Sequence, residues 1–191
     1  MPILRSSLQL CPTSSKPAGF SLIEIMVALA IAIILLGVAV PSMSTWLRKN
    51  TLNTLSANLV STLQQARSEA IKRNGRVLVC ASNVAGTDCE SATPTNWGAG
   101  GWLVCTDLNG DARCDASTAA IPNPIRRERA IEPSRAVITG PSNPIRFNAT
   151  GSQGEVGGDS ATITATGNWS GATPLSITVA ASGIIKGSRV P

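Results

Sequence analysis

The chain opens on a polar, cationic stretch and then becomes apolar. Residues 1–19 hold Arg5 and Lys16, no acidic residue, and end in Pro17-Ala18-Gly19. From Ile25 to Val40, sixteen consecutive residues carry no charge. Counted from Phe20 to Val40 the segment has 21 residues, roughly 31 Å of helix at 1.5 Å per residue, enough to cross a hydrocarbon core. A secretory signal peptide would place its apolar core before a small-residue cleavage site. Here the small residue comes first. The pattern alone reads as a signal anchor with its basic end in the cytoplasm.

Beyond the apolar run the period changes twice. Pro41 follows directly, and a proline inside a helix removes one backbone bond and clashes with the preceding turn, so a kink is expected there. Leu52, Leu55, Leu59, Leu63, Ala66 and Ala70 then recur at steps of three and four, with Asn53, Ser56, Gln64, Arg67 and Lys72 off the stripe. That spacing predicts an amphipathic helix, which Asn74-Gly75 should stop. From Arg76 onward the runs are short and β-like, broken by Gly, Pro, Asn and Ser. The predicted strands are Val77–Ala81, Gly101–Thr106, Ile125–Ile131, Ala136–Thr139, Ile145–Asn148, Ala161–Thr166, Leu175–Ala180 and Ile184–Val190. No helical period returns, and the stretches Ala116–Pro124 and Gly151–Ser160 read as exposed loops. The chain therefore divides into 1–19 as a leader, 20–41 as a membrane helix, 42–75 as an amphipathic stalk helix and 76–191 as a β-rich globular domain. The fold class is α+β, one long N-terminal helix packed on a small all-β domain.

Composition narrows the chemistry. Charged residues are 14% of the 191, against about 25% in ordinary soluble domains. There is no His, so a Ser-His-Asp triad, a Cys-His pair or a His-ligated metal is excluded. No enzyme, cofactor or metal site is expected. The formal charge is +5, from 16 basic and 11 acidic residues. After Asn50 the balance is 12 basic against 10 acidic, a net of only +2.

One carboxylate interrupts the apolar segment. Glu24 lies five residues in, counting from Phe20, and a charge there costs about 2.5–3.5 kcal/mol on insertion scales. The run Gly19-Phe20-Ser21-Leu22-Ile23-Glu24-Ile25-Met26-Val27-Ala28-Leu29 resembles the class III signal of type IV pilins and type II secretion pseudopilins. That resemblance implies cleavage between Gly19 and Phe20 by a prepilin peptidase, N-methylation of Phe20, and a kink at Pro41. It also implies that Glu24 is an assembly contact, pairing with the N-terminal amine of a neighbouring subunit. A buried carboxylate and a buried amine offset each other's desolvation, and each alone is costly.

Of five cysteines, Cys11 lies in the leader, which leaves Cys80, Cys89, Cys105 and Cys114. An even count outside the cytoplasm suggests two disulfides. Both gaps have eight intervening residues, which favours Cys80–Cys89 and Cys105–Cys114, although a Cys80–Cys105 bond between two strands stays open. A four-thiolate zinc site would call for CxxC spacing, which is absent. Asp107, Asn109, Asp111 and Asp115 place oxygens at relative positions 1, 3, 5 and 9, but Gly110 stands at position 4 and Thr118 at position 12. An EF-hand needs Gly at 6 and Glu at 12, so a turn between strands accounts for these residues better than calcium does.

The segments Val77–Ser82, Gly101–Asp111, Ile145–Gly151 and Ser176–Arg189 are similar to the GspH/FimT subfamily of minor pilins and pseudopilins. The resemblance implies two small antiparallel sheets behind the helix. It also implies a low-abundance subunit that helps initiate or cap a type IV pilus, or serves as pseudopilin H of a type II secretion system. The implied partners are other pilin or pseudopilin subunits, the prepilin peptidase and an inner-membrane assembly platform. The implied location is a single-pass inner-membrane anchor with a periplasmic globular domain, then the filament. Some FimT-type members bind DNA through a Gly-Arg-x-Arg motif. The matching positions here are Gly183, Ile184, Ile185 and Lys186, so both arginines are replaced, with Arg189 nearby. Together with Arg127 and Arg129 of the run Arg126-Arg127-Glu128-Arg129, Lys186 and Arg189 are the candidate DNA contacts. Three or four phosphate contacts would give weak, salt-sensitive binding.

Overall fold

The computed structural model describes residues 19–90, 95–154 and 160–189, with backbone alone at 38–42. The leader through residue 18, with Cys11, lies outside the described residues, as do residues 155–159 of the second predicted loop and the Pro41 side chain. The chain forms two compact units, one ending at Met43 and one beginning at Ser44.

Helix α1 runs from Leu22 to Arg73. In the first unit its described large apolar side chains, Leu22 to Leu36, are exposed. Among the described residues no helix is long and apolar enough to cross a membrane. The described side chains of the span, Phe20 to Gly37, number 18, about 27 Å at helical rise. The 21-residue span counted in the sequence is completed by residues 38–40, where backbone alone is described.

In the second unit α1 carries the predicted stripe. Leu52, Leu59, Leu63, Ala66 and Ala70 are all buried, and Leu55 packs against them from the edge. Burying Leu59 or Leu63 fully contributes about 1.5–3 kcal/mol each. Lys72 and Arg73 stand in the last turn, where the negative end of the helix dipole favours cations. Arg73 and Lys72 also reach back to Glu69, and the Arg73 hydrogen bond holds that carboxyl below its usual range. The helix stops where expected. Asn74 takes the left-handed conformation, φ 49°; its N–H donates to the Ile71 carbonyl, and Gly75 N–H to that of Ala70. This is a Schellman cap, with asparagine rather than the glycine in the left-handed position.

The β-rich part consists of β1 (Val77–Ala81), β2 (Trp102–Thr106), β3 (Arg126–Glu128), β4 (Ala136–Thr139), β5 (Ile145–Phe147), β6 (Ala161–Gly167), β7 (Leu175–Val179) and β8 (Ile185–Arg189). They form two four-stranded antiparallel sheets, ordered β3-β2-β1-β5 and β4-β6-β7-β8. One core joins them: Val77, Val79 and Val104 of the first sheet meet Ile138, Ile163 and Ile177 of the second and the α1 stripe. Each expected strand is present, and all but one keep their bounds to within a residue. The third is three residues, not Ile125–Ile131, because the chain turns away after Glu128. A short helix α2, Trp97–Gly100, was not foreseen, since four residues are too few to show a period. It exists to place Trp97, whose ring is buried and whose Nε1–H donates to the Pro141 carbonyl at 3.0 Å. Gly101 follows at φ 81°, where a Cβ would collide with the Glu128 carbonyl oxygen, so β2 begins one residue later than expected.

Candidate functional site

The N-terminal end of α1 joins a carboxylate to an apolar cylinder. Ser21 precedes the first helical residue and Glu24 stands in the first turn, the spacing of a capping box. A carboxylate there is favoured by the helix dipole, by about 0.3–1 kcal/mol. That is less than the ~2.5–3.5 kcal/mol its insertion costs, so a further partner is called for. Around it, Phe20, Leu22, Ile23, Ile25, Met26, Val27, Leu29 and Ile31 are 47–78% exposed. A helix that is apolar on every side must be covered by lipid or by other helices. The described part of this unit thus exposes apolar side chains on every side around a single carboxylate, Glu24.

The second unit shields its outer face with two disulfides. On β1 and β2, Leu78 lies opposite Cys105 and Cys80 opposite Leu103. These four make a small second core on the face away from α1. Cys80 is bonded to Cys89 and Cys105 to Cys114, with Cα separations of 5.6 and 5.4 Å. Each bond ties the loop after its strand back over that face. Closing a loop of about ten residues contributes on the order of 2–3 kcal/mol in the chain-entropy model. Cys89, Cys105 and Cys114 bring their sulfurs within 4.8 Å of one another, but all three are in disulfides and offer no thiolate.

The acidic loop is organised by arginines. Asp107 is wholly buried, and its Oδ2 lies 3.0 Å from Nη2 of Arg146, itself 7% exposed. The pair compensates charge without hydrogen-bond alignment at Oδ2. Asp107 Oδ1 accepts from Gly110 N–H, Asp115 Oδ2 from Leu108 N–H, and Asp111 Oδ1 from Arg113 N–H. Arg76 donates to the carbonyls of Asp107 and Leu108. The carboxylates thus cap backbone amides instead of converging. Among the described residues no group of acidic side chains has metal-ligand spacing.

The candidate DNA contacts do not form one patch. Arg126 reaches from β3 to Asn58 and Gln65 of α1 and pairs with Glu128. Arg127 points to the opposite face, over Gly86, and Arg129 lies past the strand end. Lys186 and Arg189 are on β8, whose Gly187 approaches Val60 of α1. Asn58 and Val60 are about 200° apart around the helix. The two cation pairs therefore flank α1 from opposite sides, on edge strands of different sheets.

The family described as Type II transport protein GspH matches residues 56–183, from the buried stripe of α1 to the turn before β8. The chain belongs to the GspH family. A second match, the prokaryotic N-terminal methylation motif, covers residues 14–40 and implies a membrane-anchored periplasmic subunit. The type IV minor pilin FimU of Pseudomonas aeruginosa is 19% identical, with 74% of this chain and 90% of that chain covered at a TM-score of 0.51. A second crystal form of FimU gives 18% identity, coverage of 73% and 92%, and a TM-score of 0.48. No curated protein matches. The FimU likeness is one of fold. With the GspH match and the methylation motif, it makes this chain a GspH/FimT-type minor pilin or pseudopilin, from a class of structural subunits rather than enzymes.

Two features of this GspH-family domain have little or no signal in the sequence. One is the buried partner of Asp107. Its signal was an arginine between two apolar residues, Ile145-Arg146-Phe147, at a strand position where both faces are covered. The other is the gathering of Arg48, Lys49, Arg135 and Arg189 around Trp169. These residues are scattered over some 140 positions: the antiparallel pairing of the second sheet brings Arg135 and Arg189 to one end, and α1 supplies Arg48 and Lys49.

Proposed function

We propose that this chain is a minor pilin processed between Gly19 and Phe20, methylated at Phe20, and held by residues 20–40 as a single inner-membrane span with its β-rich domain in the periplasm. From there it joins other pilin subunits through the assembly platform and helps initiate or cap a type IV pilus. The observation that carries this reading is a helix apolar on every side with one carboxylate in its first turn, joined to a GspH domain. Such a helix is stable in lipid and equally stable against neighbouring helices, while Glu24 selects a partner bearing an amine. The family's description as a type II transport protein supports a second reading, a pseudopilin of a secretion filament. The division of Arg127 and Arg129 from Lys186 and Arg189 offers no favoured DNA track.

A strain lacking the gene separates these readings. Loss of an initiating minor pilin is expected to reduce the number of pili per cell about tenfold or more by electron microscopy, with secretion intact. Normal piliation with failed protein secretion would instead assign the chain to a pseudopilus.

A further inference from the structure

Each disulfide joins a strand cysteine to a loop cysteine: Cys80 of β1 to Cys89, and Cys105 of β2 to Cys114. The strand members are buried, 3% and 0% exposed, against Leu78 and Leu103. Cys89 and Cys114 are only half-buried. The two bonds are also neighbours, since the Sγ atoms of Cys89, Cys105 and Cys114 all lie within 4.8 Å of one another. Asp88 holds the loops in this approach. Its Oδ1 accepts from the N–H groups of both Cys89 and Cys114, at 2.7 and 2.9 Å. Its Oδ2 lies 3.6 Å from Nη1 of Arg113, so both loop ends converge on one carboxylate.

We propose that Cys89 and Cys114 form a thiol-exchange site, where a dithiol reductant opens either bond and the surviving disulfide moves to Cys89–Cys114. A thiolate attacks a disulfide sulfur within its reach, making one S–S bond and breaking another. Access directs a reagent from solution to the loop sulfurs rather than the buried strand sulfurs. A dithiol that reduces Cys105–Cys114 leaves both as thiols and becomes a disulfide itself. The Cys114 thiolate then attacks Cys89 Sγ. Cys89–Cys114 forms, Cys80–Cys89 breaks, and the Cys80 thiolate takes up the proton that Cys114 released. Reduction of Cys80–Cys89 instead yields a Cys89 thiolate, which attacks Cys114 Sγ and expels Cys105. Both routes end on the same species. Exchange stops there, because Cys80 and Cys105 are diagonal neighbours on β1 and β2. Such neighbours are roughly 7–8 Å apart, beyond the ~7 Å Cα limit for a disulfide. The two released thiols remain in the small core as apolar side chains, so both loops stay tied while the strands lose their bonds. The site lies wholly within the second unit and is independent of the filament assignment.

The test uses the full chain in micelles, with Cys11→Ser so that the leader supplies no thiol. The protein receives one equivalent of dithiothreitol, is quenched in acid, denatured and alkylated, and its bonds are mapped by peptide mass spectrometry. Cys89–Cys114, with Cys80 and Cys105 alkylated, is expected in about a fifth or more of the one-disulfide molecules, since the original bonds compete for the same sulfurs. That share should hold when protein and reductant are diluted about tenfold together, as exchange within one chain requires. Cys80→Ala isolates a single step. Its Cys89 begins as a thiol beside Cys105–Cys114, so Cys89–Cys114 with Cys105 released is expected in about a tenth or more of molecules with no reductant added. One-disulfide molecules that carry only the two original bonds overturn the proposal, whether or not Cys80→Ala folds. So does a Cys80→Ala chain of unchanged melting temperature in which Cys89 alone is alkylated. A Cys89–Cys114 share that falls on dilution assigns the bond to exchange between chains and overturns it as well.

Discussion

Glu24→Ala should leave the chain processed and in the membrane but lower its share in sheared filaments by two orders of magnitude or more. Removing a charge from an apolar helix favours insertion, and the Gly19-Phe20 pair is untouched. What is lost is the compensation of a buried amine. Breaking a buried ion pair costs about 3–5 kcal/mol, and 1.4 kcal/mol is a factor of ten in binding. The helix dipole acts on Glu24 within its own chain and does not replace that loss. The measurement is the ratio of subunit in filaments to subunit in membranes, for wild type and variant. A plain membrane anchor gives equal ratios. An intermediate loss indicates a subunit at the tip, which has no neighbour above it to pair with.

The second large effect belongs to the globular unit. Arg146→Met should destabilise it by about 3–5 kcal/mol, because Asp107 is then left charged, wholly buried and unpaired. Arg146 also donates to the Gly110 carbonyl at 3.3 Å, so the loop from Asp107 to Gly110 loses a second tie. Adding Asp107→Asn should recover part of the loss, since the amide keeps an acceptor for Gly110 N–H and removes the stranded charge. Denaturant unfolding of the full chain in micelles, across the double-mutant cycle, reports both quantities. A loss below 1 kcal/mol for Arg146→Met would show that water reaches Asp107.

Much of this architecture was legible because its signals are periodic or local. The α1 stripe repeats over five turns, and each buried member was marked by spacing. Asn74-Gly75 sits where the Schellman cap forms. The equal gaps of the cysteines correspond to two strand-to-loop bonds on adjacent strands, and Cys80 and Cys105, which the sequence left open as a bond, lie diagonally on the same face. Contacts that depend on tertiary pairing were not legible. Nothing in the run Arg126-Arg127-Glu128-Arg129 marks Arg126 as a bridge, yet it joins β3 to Asn58 and Gln65, some 60 positions earlier. The Asp107 loop has a spacing that calcium also uses, and only Arg146, from a strand near residue 145, shows that its charge is met by arginine. Trp169 had no periodic context; its position follows from Gly167 beneath it and a turn at Gly171, φ 76°.

Intact-mass analysis of the subunit recovered from sheared filaments decides whether this chain is a processed filament subunit. The expected mass is that of 172 residues, Phe20 to Pro191 of the 191, carrying one N-terminal methyl group. That mass should lie four hydrogens below the fully reduced value, for two disulfides. A chain that retains residues 1–19, found in membranes and absent from filaments, would contradict it.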